Sequence, residues 1–351
     1  MSNVTRAMAF LPLEDDNYPA MMVIMDKVTS TNPSFKKKWL LHTQQEPQID
    51  GTTSVVKRDT DGYNGKLTVQ TLLPENASVT KIGGEGKQFW VGNQAGDFEN
   101  DGNNFALSSV PGPDSAVEAG WGRIEVSPSA ARLSDTFLNV LAVSEADNTA
   151  RPLDSKLLRG ENVVGVQTAG KALLFADVDT PSNEKNRITD TASFALAGDA
   201  PLDILIMGVK AGTWRVSANG ETKTYTATED GGTLYFAGGA GDYTLAYGGD
   251  GYAAQIAAAE ASKSGASYTV SATLAGSYAD TSVAVAAYDA GGRLLAIRKQ
   301  ACTAQVDYRF SFSEAELSSL SEFKLFLWDN RGVALPAAKS RTIPSVEIKQ
   351  K

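Results

Sequence analysis

The sequence predicts an all-β protein: a large antiparallel β-sandwich followed by a smaller β-sandwich. Short runs of alternating or β-branched residues recur along the chain, and Gly, Asn, Asp and Pro residues separate them at roughly strand spacing. Long stretches with the apolar periodicity of amphipathic helices are missing from the sequence. A chain of 351 residues is also long enough for two domains.

The first half contains the clearest strand patterns. Pro19–Met25 is an apolar run typical of a buried strand, and Trp39–His42 indicates another. Lys66–Leu73 alternates between apolar and polar residues, whereas Gly122–Val126 alternates charged with apolar residues, which predicts one solvated face. Phe137–Val143 is almost wholly apolar, as expected for a central strand.

Shorter strands are predicted after residue 160, for example Ala172–Phe175 and Asp203–Met207. The dipeptide Asn219-Gly220 favours a type I′ hairpin turn. Gly248–Gly251 is interpreted as a linker, because glycine-rich stretches often separate domains. We therefore expect domains at residues 1–248 and 249–351, and the first could include a smaller sub-domain from about residue 180.

The second domain shows alternation in three stretches. The apolar members are Tyr268, Val270, Ala272 and Leu274, then Tyr308, Phe310 and Phe312, then Phe323, Leu325 and Leu327. Two other segments are less clear. Ala253–Lys263 is rich in alanine, so helix and strand are equally favoured there. Ser313 and Glu316 have the spacing of a capping box, which predicts one or two helical turns.

Composition excludes several classes of function. With 32 basic and 41 acidic residues the net charge is −9, so non-specific nucleic-acid binding is not expected. A single cysteine, Cys302, and a single histidine, His42, exclude an intrachain disulfide, a thiolate metal cluster and any site that needs two imidazoles. No apolar run is long enough for a transmembrane helix, so membrane insertion is not expected, and the first residues do not form a signal peptide.

Seven motifs resemble the heparinase II/III-like polysaccharide lyases in order and spacing. They are Asp26–Val28, Phe35–Thr43, Tyr63–Leu67, Leu72–Pro74, Gly83–Gly86, Gly122–Pro128 and Asp135–Leu141. The resemblance covers about residues 4–180 and extends more loosely to 248. The last hundred residues resemble an accessory β-sandwich module found at the C-terminus of large secreted bacterial carbohydrate enzymes.

In this lyase family a helical toroid that carries the catalytic tyrosine precedes the β-sandwich. The resemblance therefore implies that this chain is the non-catalytic C-terminal β portion of such a lyase. Its expected partners are the missing N-terminal helical domain and an acidic polysaccharide rich in uronate. Its expected location is extracellular or on the cell surface. A free-standing carbohydrate-binding or cell-surface module is the alternative, and an active lyase that works by β-elimination is less favoured. Whether the chain is itself an enzyme stays open.

Sugar rings bind to flat aromatic faces, and acidic sugars also need nearby cations. The candidate glycan-binding residues are Trp90, Trp121, Arg123, Lys57, Arg58 and Tyr63. Trp214, Tyr252 and Trp328 are further exposed-ring candidates, although Trp39 and Trp328 lie in apolar runs that indicate a core position. Ordinary surface charge and core packing remain the commoner explanations for these residue types.

One basic cluster lies beside the only histidine. Lys36–Lys38 precedes His42 by a few residues, and this arrangement could be what remains of a glycan cleft. A strand of the sandwich framework that includes Trp39, Leu41 and His42 explains the same residues, so we assign no catalytic residue.

The acidic loop Gly96–Asn104 is the best candidate metal site. Asp97, Glu99 and Asp101 place oxygen ligands at alternate positions, a pattern that suits a hard cation such as Ca²⁺. A solvated acidic loop tip explains the pattern as well, and the resemblance requires no cofactor. A sandwich without its helical partner should also expose an apolar face, so we expect self-association through residues near the N-terminus.

Overall fold

A computed structural model describes residues 3–91, 104, 120–179, 186–229, 232–251, 254–276, 281–303, 305–330, 338 and 340–350. Strands make up 64% of the structure, and no helix reaches seven residues, so the predicted all-β class is confirmed. Within the described ranges, no helix is long and apolar enough to span a membrane. The chain divides into two compact units, and the first consists of Met1–Leu157, Gly165–Ala169 and Asp179–Lys185.

Within the described residues, nine antiparallel strands form the two sheets of the first unit. They are β1 (Asn3–Pro12), β2 (Ala20–Thr29), β3 (Trp39–Thr43), β4 (Gln48–Asp50), β5 (Thr53–Arg58), β6 (Gly65–Leu73), β7 (Ser78–Gly83), β8 (Gly122–Ser127) and β9 (Ser134–Ser144). One sheet has six strands in the order β1-β2-β9-β6-β5-β4, and the other has three in the order β3-β8-β7. The central position predicted for Phe137–Val143 is therefore confirmed.

These two sheets pack face to face as a β-sandwich. Ile24, Val69 and Phe137 of the wide sheet meet Trp39 and Ile124 of the narrow sheet in one apolar cluster. The alternation of strand residues explains this arrangement, because every second side chain points to the same face. The strand that begins at Trp39 is thus part of the sandwich framework, as one of the two interpretations of this segment held.

The narrow sheet leaves part of the wide sheet uncovered. Edge strand β1 is paired with β2 in a register that places Met8 opposite Ile24 and Phe10 opposite Met22. Ile24 belongs to the sandwich core, so Met8 and Phe10 lie on the same side of the sheet. They are nevertheless 58% and 65% exposed, and Val4 on that side is 49% exposed. An apolar strip, interrupted by the Arg6–Asp26 ion pair of 2.7 Å, therefore lies along β1, where the resemblance led us to expect an exposed apolar face.

The next nine strands form one large sheet. They are β10 (Lys156–Glu161), β11 (Val163–Thr168), β12 (Lys171–Ala176), β13 (Thr191–Leu196), β14 (Leu202–Met207), β15 (Gly212–Ala218), β16 (Glu221–Ala227), β17 (Thr233–Gly238) and β18 (Gly241–Gly249). Their order is β16-β15-β18-β13-β10-β11-β12-β14-β17, and β12 runs parallel to β14. The predicted hairpin joins β15 to β16, with positive φ angles of 51° at Asn219 and 81° at Gly220.

The nine-stranded sheet bends until its two end strands meet. Tyr225 of β16 and Phe236 of β17 stack with ring centroids 4.9 Å apart, although these strands lie at opposite ends of the hydrogen-bonded order. The concave face encloses a core in which Trp214 is fully buried. Trp214 is therefore a core residue, and its interpretation as an exposed sugar platform was wrong. We call the line along which β16 and β17 meet the seam.

The remaining strands form a smaller β-sandwich. They are β19 (Ala254–Ser264), β20 (Ser267–Gly276), β21 (Thr281–Asp289), β22 (Leu294–Ala301), β23 (Asp307–Ser313), β24 (Leu320–Asp329), β25 (Arg341–Pro344) and β26 (Lys349–Gln350). They make two four-stranded sheets, β23-β20-β19-β26 and β22-β21-β24-β25. The apolar positions predicted from alternation on β20, β23 and β24 supply much of the core between these sheets.

The structure tests three local predictions in the smaller sandwich, for the alanine-rich segment, the capping box and Trp328. The alanine-rich segment is a strand, β19, which pairs with β20 along its length. A 3-10 helix spans Glu314–Leu317, and Ser313 and Glu316 form the predicted capping box. Trp328 is only half-buried and stacks on Phe326 at 5.4 Å, so its predicted core position was wrong. Alternation explains the error, because Trp328 faces away from the side that carries buried Leu327.

The predicted linker begins inside a strand, because β18 continues to Gly249. The apolar core of the nine-stranded sheet draws on residues 158–245, and that of the smaller sandwich on residues 254–348. The domain boundary at 248/249 stays a prediction.

Candidate functional site

The narrow sheet of the first unit has a second face that points away from the sandwich core. We call it the outer face and define it by Leu40 and His42 of β3, Thr80 of β7, and Arg123 and Glu125 of β8. Register fixes this set, since Leu40 lies opposite Glu125 and His42 opposite Arg123. The alternation of charged and apolar residues on β8 predicted one solvated face, and this prediction was wrong, because Arg123 and Glu125 on the outer face are buried as well.

Two cations hold one carboxylate on the outer face. The Lys38 Nζ atom lies 2.6 Å from Glu125 Oε2, and Arg123 Nη2 lies 2.7 Å from Glu125 Oε1. Arg123 is 9% exposed and Glu125 is 4% exposed, because both are central in the sheet. Arg123 is therefore not an exposed surface charge, and it contributes to a buried ion cluster with one net positive charge.

The charge state of Glu125 follows from these contacts. Burial alone would raise the pKa of this carboxyl group, since desolvation disfavours the charged form. Hydrogen bonds and charge attraction from Lys38 and Arg123 outweigh that effect, so the pKa of Glu125 lies below its ordinary value of 4.5. Glu125 is thus a carboxylate at neutral pH, which makes it unsuitable as a general acid.

A groove of 510 Å³ lies beside this cluster, and we call it the lysine groove. Its lining residues are Pro33, Ser34, Phe35, Lys36, Lys37, Lys38, Ser127, Pro128, Ser129, Ala130, Ala131 and Asp135. Lys37 is buried and lies 2.9 Å from Asp135, whereas Lys36 and Phe35 are exposed. The groove therefore offers an exposed cation, an exposed aromatic ring and several serine hydroxyls.

The groove and outer face together carry a positive excess. Lys36, Lys37, Lys38 and Arg123 supply four cations against the two carboxylates of Glu125 and Asp135. This local excess contrasts with the chain's net charge of −9. A locally cationic concavity on an acidic protein attracts anions to that place in particular.

His42 is exposed on the outer face, beside Arg123. His42 belongs to the framework strand with Trp39 and Leu41, as one interpretation held, and it points to the face opposite Trp39 because successive strand residues alternate. No hydrogen bond or ion pair is described for its ring. His42 is therefore accessible to solvent, and no described side chain acts as an acid or base partner of its ring.

Trp90 meets the outer face through its backbone. The Arg123 Nη1 atom donates a hydrogen bond of 2.6 Å to the Trp90 carbonyl oxygen. The Lys87 ammonium lies 5.7 Å from the centre of the half-buried Trp90 ring, within the range of a cation–π contact. Of the predicted glycan-binding residues, Trp90 and Arg123 are thus brought together.

Trp121 lies at the end of the narrow sheet, next to Arg123 in sequence. Its backbone N–H donates to the carbonyl of Thr43 at 2.9 Å, and its ring packs against Gly83. A Cβ atom at Gly83 would lie 2.4 Å from the Trp121 ring, so only glycine permits this contact. The ring stays half-buried, with one side on the backbone of β7.

Lys57, Arg58 and Tyr63 belong to the β5–β6 hairpin instead. The Lys57 Nζ atom lies 2.7 Å from Asp59 Oδ2, and the Arg58 guanidinium stacks 3.6 Å above the Tyr63 ring. One face of Tyr63 is therefore already occupied by a cation. These three residues form a local cluster, and their role in glycan binding stays a prediction.

The predicted metal ligands Asp97, Glu99 and Asp101 lie outside the described residues. Among the residues that are described, no group of three or more His, Cys, Asp or Glu side chains could hold a metal ion. Cys302 is a half-buried free thiol packed against the core of the smaller sandwich.

The structure also adds residues that the list of site candidates omitted. Phe35 and Lys36 are exposed in the groove, and Lys38 and Glu125 complete the ion cluster. The run Phe35–Lys38 in the sequence signalled the groove. The pairing of Lys38 with Glu125 joins residues 87 positions apart, so no local pattern could reveal it.

The chain was compared with curated proteins and with solved structures. No curated protein matches it. A β-glucuronidase from Lactobacillus rhamnosus is 12% identical, with 55% of this chain and 44% of that chain covered and a TM-score of 0.20. A Bifidobacterium dentium β-glucuronidase, solved with coumarin-3-O-glucuronide, is 10% identical, with coverage of 55% and 47% and a TM-score of 0.22. The chain spans less than half the length of these proteins, and such low TM-scores support no argument.

Comparison with protein families gives a more informative match. Residues 157–247 match the family described as the heparinase II C-terminal domain. This segment contains all of the nine-stranded sheet except Lys156, Gly248 and Gly249. The match and the all-β architecture agree with the resemblance found in the sequence. Residues 157–247 are therefore similar to the heparinase II C-terminal domain, a carbohydrate-related β domain.

Proposed function

We propose that this chain is the non-catalytic β portion of a heparinase II/III-like lyase and that its first unit binds acidic glycan along the lysine groove and outer face. In this role it supports a separate helical catalytic domain and presents uronate chains to it. The observation that carries the proposal is the local excess of positive charge around the groove in an otherwise acidic chain.

The chemistry of the groove suits a uronate sugar. An exposed ammonium group, Lys36, can pair with the sugar carboxylate, and the exposed ring of Phe35 offers an apolar face for the ring C–H groups. Hydroxyl groups of Ser127 and Ser129 can exchange hydrogen bonds with sugar hydroxyls. The groove volume of 510 Å³ falls in the usual range of ligand sites.

The ion cluster supports the same role indirectly. Lys38 and Arg123 are already paired with Glu125, so they fix the edge of the groove, whereas Lys36 is an exposed cation of the groove for which no ion pair is described. A cation held near a ligand site contributes by attraction at a distance, and salt weakens that attraction. Binding should therefore be strongest at low ionic strength.

Affinity electrophoresis and calorimetry with alginate and heparan-sulfate oligosaccharides test the proposal. Lys36→Gln should weaken binding about three- to tenfold, because it removes the exposed cation of the groove. Lys156→Gln is the matched control, since it removes an exposed lysine whose described ion pair is with the exposed Asp154. Absence of binding by the wild-type chain, or equal weakening by both variants, would contradict the proposal.

The same oligosaccharides can reveal lyase activity. Incubation of the chain with uronate glycan should give no rise in the absorbance of unsaturated products, because the described outer face offers His42 no acid or base partner. Turnover that disappears in His42→Ala would instead show that the chain is itself a lyase. Phe35→Ala should lower binding while leaving this absorbance unchanged.

A further inference from the structure

The nine-stranded sheet carries a second pocket, remote in sequence from the lysine groove. It has a volume of 320 Å³ and opens where β16, β17 and β18 converge at the seam. The lining residues are Val216, Ala218, Asn219, Glu221, Lys223, Tyr225, Phe236, Ala237, Gly238, Gly239 and Tyr243. We call it the seam pocket.

Aromatic rings form the inner part of this pocket. Tyr225 stacks on Phe236 at 4.9 Å, and Phe236 lies 6.1 Å from Tyr243. Phe236 and Tyr243 are buried, whereas Tyr225 is half-buried and so presents part of its ring to the opening. A hydrogen bond of 2.8 Å from Tyr243 Oη to the carbonyl of Gly239 fixes the deeper ring.

Polar groups form the rim. Register on the β15–β16 hairpin places Lys223 opposite Val216 and Glu221 opposite Ala218, on the face whose deeper members are core residues. The Lys223 Nζ atom lies 3.2 Å from Glu221 Oε2, and both side chains are largely exposed. A carboxylate, an ammonium group and the Asn219 amide therefore surround an aromatic opening, with no net charge.

This combination matches the two surfaces of a neutral sugar. A pyranose ring has an apolar C–H face that stacks on an aromatic ring, and hydroxyl groups that both donate and accept hydrogen bonds. The carboxylate of Glu221 would repel a uronate, and its pairing with Lys223 cancels the attraction that a free cation would give. A volume at the lower end of the range for ligand pockets fits a single ring better than a chain.

From this geometry we propose that the seam pocket binds one neutral pyranose residue, stacked on Tyr225 and hydrogen-bonded by Asn219, Glu221 and Lys223. This site is additional to the acidic-glycan groove of the first unit and does not depend on it. A protein with both sites would hold the acidic chain at one place and a neutral residue at another.

Another explanation exists for the two charges. Inward-pointing charged residues on an end strand also prevent sheets from pairing edge to edge. That role requires neither the aromatic opening nor the asparagine, and it predicts an effect on self-association instead of sugar binding. The two roles are therefore separable by experiment.

Titration of the full chain with methyl glucoside, methyl galactoside and methyl mannoside, followed by ¹H–¹⁵N NMR, tests the proposal. At least one pyranoside should cause saturable shifts in residues 219–225 and 236–243, while glucuronate should cause much smaller ones. Glu221→Gln and Lys223→Gln should each weaken binding at least tenfold. Thr224→Ala is the matched control, because Thr224 is exposed on the same strand and points to the other face.

A blocking variant gives an independent measurement. Gly239 lines the pocket, and a Cβ atom there would meet no other atom within 4 Å, so Gly239→Leu should introduce a side chain at the pocket wall. Gly251→Leu is its control, since Gly251 has equally open space and lies outside the pocket. Gly239→Leu should abolish the shifts and Gly251→Leu should keep them.

Absence of saturable shifts with all three pyranosides would overturn the proposal. So would shifts that survive Glu221→Gln, Lys223→Gln and Gly239→Leu, and so would changes in self-association without any change in sugar binding. Lys36→Gln, which tests the lysine groove, should leave pyranoside binding unchanged, so failure of one site is distinguishable from failure of the other.

Discussion

In the first unit a six-stranded sheet faces a three-stranded one, whereas the nine-stranded sheet bends until its own end strands meet. The unequal pair of sheets leaves apolar side chains of β1 exposed, and the cluster around Glu125 lies on the outer face of the narrow sheet, where Arg123 and Glu125 are buried. The bent sheet keeps its apolar residues inside and its charges Glu221 and Lys223 at the rim. The comparison indicates that similar ion pairs serve different purposes. The buried Arg123–Glu125 pair stabilises the narrow sheet, whereas the exposed Lys223–Glu221 pair is accessible to a ligand.

The largest expected effect is on the stability of the first unit. Glu125→Gln should lower the free energy of unfolding by about 3 kcal/mol, because it leaves Arg123 buried without its carboxylate. Glu221→Gln, the matched change at the rim, should alter it by less than about 0.5 kcal/mol. Urea denaturation of both variants measures the difference. Equal losses of unfolding free energy in the two variants would contradict the proposed difference between the buried and the exposed ion pair.

A smaller effect should appear in the pH dependence of stability. Hydrogen bonds from Lys38 and Arg123 keep the pKa of Glu125 below 4.5 in the folded protein, despite the opposing effect of burial. A lowered folded pKa means that the stabilisation is fully present above the unfolded pKa and is lost as the pH falls through the folded one. The stability difference between wild type and Glu125→Gln should therefore shrink from pH 6 towards pH 3. A difference that is constant over this range would contradict the assignment.

The smallest expected effect concerns self-association through β1. Phe10→Ser should reduce association of the isolated chain, because Phe10 is the most exposed apolar residue of the β1 strip. Leu294→Ser is the control, since Leu294 is 48% exposed on another edge strand, β22. Sedimentation velocity over a wide concentration range measures the effect. A wild-type chain that stays at the monomer mass of 37.1 kDa throughout would rule out association through this strip.

Much of the fold could be predicted because strand alternation is a local signal. Buried Tyr308, Phe310 and Phe312 alternate with exposed residues on β23, as the sequence indicated. The sequence did not decide between helix and strand for the alanine-rich segment that forms β19. Alanine favours helix in isolation, whereas pairing with β20 along the whole strand stabilises the extended conformation. Secondary-structure propensity is a property of the local sequence, so it carries no information about the strand with which a segment pairs.

The candidate site was less predictable, because it depends on contacts between distant segments. Trp214 lies near glycine residues in sequence, yet packing inside the bent sheet buries it completely. Arg123 was identified from its residue type, but its position depends on the carboxylate of Glu125 and on the carbonyl of Trp90. Residue types indicated the chemistry, and only the three-dimensional pairing showed which charges are exposed.

The seam has a consequence for how the nine-stranded sheet moves. Within the described strands, β16 and β17 meet through the rings of Tyr225 and Phe236, and neither is the other's neighbour in the hydrogen-bonded order. A stacked ring pair can separate without the loss of any backbone hydrogen bond. The strands β16 and β17 can therefore move apart locally at a low free-energy cost. Amide hydrogens of β16 and β17 should therefore exchange with deuterium before those of the central strands β10 and β11, and a bound sugar should slow that exchange.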